Sequence, residues 1–262
     1  MGFFGRKRAP SVPHPRKEPR FDGPLTLERL EQIFQDCVDF TKRPVSLGEG
    51  GACTLTLCYL SGMVKMERVS DYVLRPLAQD EALARCGTPR QAMEEMMGGA
   101  LYNLSAAERT TLDEAAFDLV AGWCLLFFPG ESAVLSLFVG TEEKRSISSP
   151  SNETVLKGSR DAFVESLRTN TSIVRRHLKA PELRIREQVV GRQSVTSVDI
   201  LYIEGLTNPH LVEQVAAQLA DIDIDAVLAT GNIEEYIVPA ARTAFPLVQY
   251  TERSDRFCAG LA

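Results

Sequence analysis

The chain has 262 residues, 24% of them charged and 44% hydrophobic, with a formal net charge of −6. Such a composition belongs to a globular protein that buries a sizeable core in one large domain or two small ones. The acidic balance excludes general nucleic-acid binding, which needs a basic face to displace counterions from phosphate. No apolar run reaches the ~18 residues of a membrane helix, so this stretch is expected to be soluble by itself. Cys37, Cys53, Cys58, Cys86, Cys124 and Cys258 are scattered with no Cys-x-x-Cys pair. That spacing suits reduced thiols packed as small hydrophobes in a cytosolic setting, not a disulfide framework or a zinc site.

Residues 1–24 are rich in proline and basic side chains, and they read as a disordered tail that cannot bury enough apolar surface to offset its ordering entropy. Its sharper reading is weak attraction to an anionic membrane surface. Thr26 is a predicted N-cap, followed by Leu27, Leu30, Ile33, Phe34, Cys37 and Val38 on one helical face. A glycine loop at 48–51 leads to a strand over 53–60, CTLTLCYL, and then to a helix with Val69, Val73, Leu74 and Leu77 inward. Helix-forming sequence near 89–97, a short strand at 100–103 and a helix over 111–122 come next. The apolar segments 123–128 and 133–139 form a hairpin turned by Pro129-Gly130. The polar stretch from Thr141 to Asn152 falls at the natural break, with 146–158 as linker.

The second half repeats this plan. Leu201-Tyr202-Ile203-Glu204-Gly205-Leu206 aligns with Cys58-Tyr59-Leu60-Ser61-Gly62-Met63 at a constant offset of 143 residues. Val212 then falls on Val69, and Asn208 and Pro209 are a favourable N-cap and first helical residue. Residues 246–250 correspond to the short strand at 100–103, and 254–262 to the helix at 111–122. The apolar hairpin of the first half has no counterpart before Ala262. The expected fold is therefore α/β (α+β-like): two similar α/β subdomains in tandem, 25–145 and 159–262. The second lacks its final hairpin, as in a chain cut or interrupted before that domain is complete.

A search for catalytic chemistry finds little. Three histidines, His14, His177 and His210, occur with no His-Glu-x-x-His, no Gly-x-Ser-x-Gly and no phosphate-binding loop. Asp221-Ile222-Asp223-Ile224-Asp225 reads as a half-exposed strand, with acids on one face and isoleucines on the other, rather than as a metal site. No cofactor is expected. Glu204 stands at a strand end beside Gly205, a place where binding grooves form. A helix over 159–178 carries the stripe Phe163, Leu167, Val174 and Leu178, with Asn170 on the same face. A buried amide needs partners, so Asn170 is expected to bracket loop backbone, or else to meet the other domain or a second subunit. Arg175 and Arg176 sit in a locally basic stretch that reads as a solvated face. The sharper reading of that stretch is an acidic partner or lipid headgroups.

One block of motifs carries a resemblance. It comprises Asp161-Ala162-Phe163-Val164-Glu165-Ser166-Leu167, Thr169-Asn170-Thr171, Arg175-Arg176, Gly191-Arg192, Tyr202-Ile203-Glu204-Gly205, Asn208-Pro209, the Asp221–Asp225 run and Thr251-Glu252-Arg253. In this order they resemble the N-terminal soluble region of the A subunit of the GerA family of spore germinant receptors, strongly from about Ser149 onward and more loosely before. The resemblance implies a non-enzymatic signalling or assembly module of two α/β subdomains ahead of transmembrane helices, at the cytoplasmic face of the spore inner membrane. It implies B and C subunits and other A subunits as partners, and a nutrient as possible ligand. Asn170, Arg175, Arg176, Glu204 and Glu252 are then the candidate partner or interdomain residues. The alternative is a free-standing small-solute binding protein that closes a cleft between two α/β domains. An enzyme is the least favoured class.

Overall fold

Helix α1 (Leu27–Ile33) opens where its capping chemistry predicts. The Thr26 hydroxyl accepts the Arg29 amide, and Leu30 and Ile33 face inward. It ends earlier than its apolar stripe, because Asp36 takes a left-handed φ of 59° and turns the chain. Cys37 and Val38 are accordingly not helical. Cys37 forms a parallel bridge with Ile185, and Val38 N–H donates to the Ile185 carbonyl at 2.9 Å. The computed structural model describes residues 20–47, 53–100, 105–140, 161–227, 230–238 and 248–262. The glycine loop at 48–51, the strand expected at 100–103, nearly all of the tail and the 146–158 linker therefore lie outside the described residues or almost so.

The chain forms two compact units. Unit 1 draws its described residues from Met1–Gln35, Asp39–Glu143 and Lys179–Pro181, and unit 2 from Asp36–Val38, Lys144–Leu178 and Glu182–Ala262. In unit 1, strands β1 (Phe40–Leu47) and β2 (Cys53–Leu60) form an antiparallel ladder from Phe40↔Leu60 to Leu47↔Cys53. A helical run follows: α2 (Met66–Val69), a π-helical turn (Ser70–Leu74) and α3 (Arg75–Gln79), with Val69, Val73 and Leu77 fully buried. Next come α4 (Glu81–Ala84), capped by the Asp80 carboxylate, and α5 (Pro89–Glu95), capped by the Thr88 hydroxyl. Strand β3 (Ala106–Arg109) is followed by α6 (Leu112–Val120), whose N-cap is Thr111. The predicted hairpin is β4 (Trp123–Phe127) and β5 (Val134–Phe138). These strands make one five-stranded antiparallel sheet in the order β1-β2-β4-β5-β3, so the hairpin is inserted between β2 and β3.

The core of unit 1 includes Leu55, Leu57, Leu126, Leu135 and Leu137, all fully buried, each contributing about 1.5–3 kcal/mol by area removed from water. One polar network is enclosed with it. Asp118 accepts from Arg109 through Nε at 2.7 Å and Nη2 at 3.3 Å and from the Ser136 hydroxyl at 2.7 Å, while the Arg109 guanidinium lies 5.9 Å above the Trp123 ring. Each charge is paired, which is the condition for burying one at tolerable cost.

Unit 2 is built on the hairpin β6 (Leu183–Val190) and β7 (Thr196–Ile203), preceded by α7 (Leu167–His177) and followed by α8 (Pro209–Ala220), α9 (Thr230–Ile237) and α10 (Ser254–Leu261). Its ladder runs from Leu183↔Ile203 to Val190↔Thr196, so each of its partner pairs lies 143 residues after a pair in β1–β2. The turns that leave β2 and β7 use Gly62 (φ 81°) and Gly205 (φ 79°) in the same left-handed conformation, which glycine adopts without steric cost. Asn208 caps α8 through the His210 amide, with Pro209 at the first helical position as predicted.

Three expected elements differ. The helix expected over 159–178 begins only at Leu167, capped by the Ser166 hydroxyl, and Asp161–Phe163 is extended. Residues 248–250 form no strand. The 221–225 run keeps its alternation of exposed acids and inward isoleucines but is not a strand. Its backbone is met by a turn instead, with Arg192 N–H donating to the Ile224 carbonyl and Gln193 and Ser194 N–H to that of Asp225.

Candidate functional site

Two of the motif segments, Asp161–Leu167 and Thr251-Glu252-Arg253, meet beside α7 and the start of α10. Phe163 N–H donates to the Glu252 carbonyl at 2.8 Å, and Ala162 bridges Arg253 in antiparallel fashion. Ser254 donates to the Asp161 carbonyl with its amide at 3.4 Å and its hydroxyl at 3.0 Å. The Arg253 guanidinium grips Asp255 through two bonds of 3.0 and 2.6 Å and holds that carboxyl below the usual carboxylate range. The Phe163 and Phe257 rings meet edge to face at 5.4 Å, sealing the apolar side against Val174, Leu183 and Cys258. Burial raises the Cys258 thiol to about 11, which keeps it an inert packing group.

Asn170, one turn into α7, holds the preceding segment to the helix. Its Oδ1 accepts Val164 N–H at 2.8 Å, and its Nδ2 donates to the Val164 carbonyl at 2.7 Å. An amide that offers both an acceptor and donors is suited to closing such a ring on the N–H and C=O of a single residue. Arg175 and Arg176 are adjacent in sequence but lie about 100° apart around the helix. Arg176 is exposed, whereas Arg175 is 0% exposed and donates from Nη1 to the Leu183 carbonyl at 3.0 Å. The expected solvated face of two arginines is corrected by that burial. Arg175 clamps β6 and presents nothing to a lipid or an acidic partner.

Glu204 is exposed at the end of β7. Its amide donates to the Glu182 carbonyl at 2.9 Å, and its carboxylate lies 3.8 Å from Arg184 Nε. On the same strand, Tyr202 has its phenol pKa raised by burial and by the acids Asp36 and Glu204. Glu252 is exposed and joins this assembly through its backbone carbonyl.

One functional pairing escaped the sequence reading. The β6–β7 register sets Glu187 directly opposite Asp199, two like charges that would repel. Arg168 from α7 bridges them, bonding Glu187 through Nη2 and Asp199 through Nη1 at 3.3 Å. The signal was legible once both strands were paired, since two facing acids in a half-buried hairpin require a cation.

The polar side chains gathered here do not form a catalytic relay. Asp161, His177 and Ser254 come together, but Ser254 Oγ at 3.2 Å and Asp161 Oδ2 at 3.4 Å both face the same ring nitrogen, Nε2. A relay needs the carboxylate on Nδ1 and an accessible hydroxyl, and Ser254 is fully buried. No group of acids, histidines and cysteines among the described residues could hold a metal ion. A cavity of about 330 Å³ in unit 1 is lined by Leu47, Cys53, Thr54, Cys86, Thr88 and Pro129, and by none of the motif residues. Burial raises both its thiols, the opposite of an activated nucleophile.

The motif side chains thus fasten one segment of the unit to another. Residues 28–262 match the Bacillus/Clostridium GerA spore germination protein family, and the chain belongs to it. It is 34% identical over 235 residues to the uncharacterized membrane protein YfkQ of Bacillus subtilis (strain 168), covering 90% of this chain and 44% of that one. Spore germination protein KA of the same organism is 32% identical over 219 residues, covering 83% and 39%. Among solved structures, the N-terminal domain of the A subunit of the Bacillus megaterium spore germinant receptor GerK3 superposes with a TM-score of 0.69 at 26% identity, covering 90% of this chain and 85% of that one. The chain spans less than half the length of these two curated relatives. It corresponds to the N-terminal domain of a GerA-family germinant receptor A subunit, a protein of spore germination and of a family that is not enzymatic. No helix among its described residues is long and apolar enough to cross a membrane.

Proposed function

We propose that this domain carries the nutrient signal within a germinant receptor by docking onto other subunits: B and C subunits, further A subunits, or both, at the cytoplasmic face of the spore inner membrane. The observation that supports it is the convergence just described. The motif residues bind one another through backbone and buried contacts, so the segment around α7 and α10 is held rigid, while Arg176, Glu204 and Glu252 remain exposed upon it. A rigid frame bearing exposed charges of both signs suits a specific protein partner, because fixed charges select orientation at little entropic cost. Asn170 contributes as the bracket of that frame.

We also read the two units as tandem copies of one α/β design. The support is the common offset of 143 residues in both ladders and in both glycine turns.

Charge reversal tests the docking reading. Arg176→Glu combined with Glu252→Lys in the complete receptor should leave the melting temperature of the isolated chain within about 2 °C. It should also reduce co-purification of partner subunits and slow nutrient-triggered germination at least tenfold. Full assembly and normal germination in that double variant would overturn the docking reading.

A further inference from the structure

The turn ends of the two matching hairpins are covered differently. In unit 2, Val190 pairs with Thr196 and is buried in one cluster with Leu219 and Ile222, against which Ile224 and Val227 pack. Aliphatic side chains from the chain beyond α8 thus close that end. In unit 1 the matching pair is Leu47↔Cys53, and here the hairpin borders the cavity of about 330 Å³. The facing walls are Cys86 in the α4–α5 connection, Pro89 at the start of α5, and Pro129 between β4 and β5. All of these residues belong to unit 1.

The lining has one chemical character. None of its described residues carries a carboxylate, an ammonium or a guanidinium. Polar groups at its rim are already engaged, since Thr88 Oγ1 accepts the Gln91 amide at 3.2 Å and Gly87 N–H donates to Gln91 Oε1 at 3.1 Å. The Cys86 thiol donates to the Ala82 carbonyl at 3.4 Å. Cys53 and Cys86 also pack against the core cluster that includes Leu47, so the floor is apolar. Burial raises the Cys86 thiol, and the acids Glu95 and Asp80 push it the same way, so the local field opposes a further negative charge. An ion entering this lining would lose its water with no counter-charge to replace it. In size the cavity is roughly twice the ~150 Å³ that accommodates a benzene ring, and it reaches the range of ligand pockets, which begins at about 300 Å³.

We propose that this cavity is a binding site for a small uncharged aliphatic molecule of roughly five to eight carbons. The occupant takes the place that Ile224 and Val227 hold in unit 2. It touches three segments distant in sequence, the β1–β2 hairpin end, the α4–α5 connection and Pro129, and so ties them together. The charged docking residues Arg176, Glu204 and Glu252 lie in unit 2, so this site is a separate property of unit 1.

The cavity carries its own reporters, because Cys53 and Cys86 are half-exposed while Cys37, Cys58, Cys124 and Cys258 are buried. The chain is alkylated with iodoacetamide, and modification of each cysteine is timed by mass spectrometry of its peptides. The probe is 3-methylbutan-1-ol at roughly 20 mM, which suits the millimolar affinity of so small a ligand. It should slow alkylation of both Cys53 and Cys86 at least threefold, reaching a plateau as its concentration rises. 3-Methylbutanoate, 3-methylbutylamine and free leucine at the same concentration should leave both rates unchanged. Cys86→Phe fills the cavity and should abolish the slowing at Cys53. Cys53→Leu, a milder change read at Cys86, should weaken the slowing and replaces the first variant if that one does not fold. Unchanged alkylation at the plateau concentration of the alcohol would overturn the inference. Slowing that persists undiminished in both variants would overturn it too, by placing the alcohol elsewhere. Equal slowing by the carboxylate, the amine or leucine would sink the uncharged class.

Discussion

Units 1 and 2 begin from matching hairpins and reach different degrees of enclosure. In unit 1 the ladder Phe40↔Leu60 is one edge of a five-stranded sheet, and Leu57 at its centre is fully buried. In unit 2 the ladder Leu183↔Ile203 has the same register, and Ile200, which corresponds to Leu57, is half-exposed. The strand pattern therefore does not decide how much a residue contributes; the layer laid over it does. Unit 1 is held by apolar burial around one enclosed ion pair. Unit 2 adds to its smaller apolar clusters side chains that tie backbone segments, such as Asn170 to Val164 and Arg175 to Leu183.

The largest effect should separate the two at matched positions. Leu57→Ala removes a fully enclosed side chain and should cost about 3 kcal/mol, while Ile200→Ala should cost less, about 1–2 kcal/mol, since part of its surface is already wet. Urea unfolding monitored for each variant checks this, and equal losses would remove the contrast. A smaller effect probes what replaces burial in unit 2. Asn170→Ala leaves the backbone N–H and C=O of Val164 without their partner and should destabilise by about 1–3 kcal/mol. Faster exchange at the Val164 amide would locate the damage, and unchanged stability would show that the bracket is not needed.

The smallest effect is a pH dependence. Arg253 lowers the Asp255 pKa in the folded chain, so the pair's stabilisation is present above the unfolded carboxylate value near ~3.9. It is lost as pH falls through the lower folded value. The pair is partly open to solvent, so its worth is under about 1 kcal/mol. Thermal melts between pH 6 and 2.5 should show a slightly shallower acid slope for Asp255→Asn; identical slopes would remove the pair from the account.

The elements with local chemistry were readable from the residues. The Thr26 and Thr111 caps, the Pro129-Gly130 turn and the Asn208-Pro209 helix start each satisfy backbone groups within a few positions, so no long-range information was needed. The failures came from partners distant in sequence. Residues 161–163 have helical spacing yet are extended, because Glu252 and Ser254 capture their backbone from some ninety positions away. Arg175 looked solvated because charge favours water, and only the arrival of β6 shows the carbonyl that keeps it buried. The bracket role expected of Asn170 was legible from the need of a half-buried amide for partners. The Arg168 pairing was not, because it depends on a strand register that sets Glu187 against Asp199.

Neither unit is one uninterrupted run of chain. Unit 2 includes Asp36–Val38, and unit 1 includes Lys179–Pro181, segments that again stand 143 residues apart. A nascent chain leaving the ribosome has therefore not yet made all of unit 1 when β5 emerges, and must wait until Pro181. The segment Asp36–Val38 bonds β6, which is synthesised much later, so a premature stop between Phe138 and Lys179 deprives unit 1 of Lys179–Pro181 and leaves Asp36–Val38 without its strand.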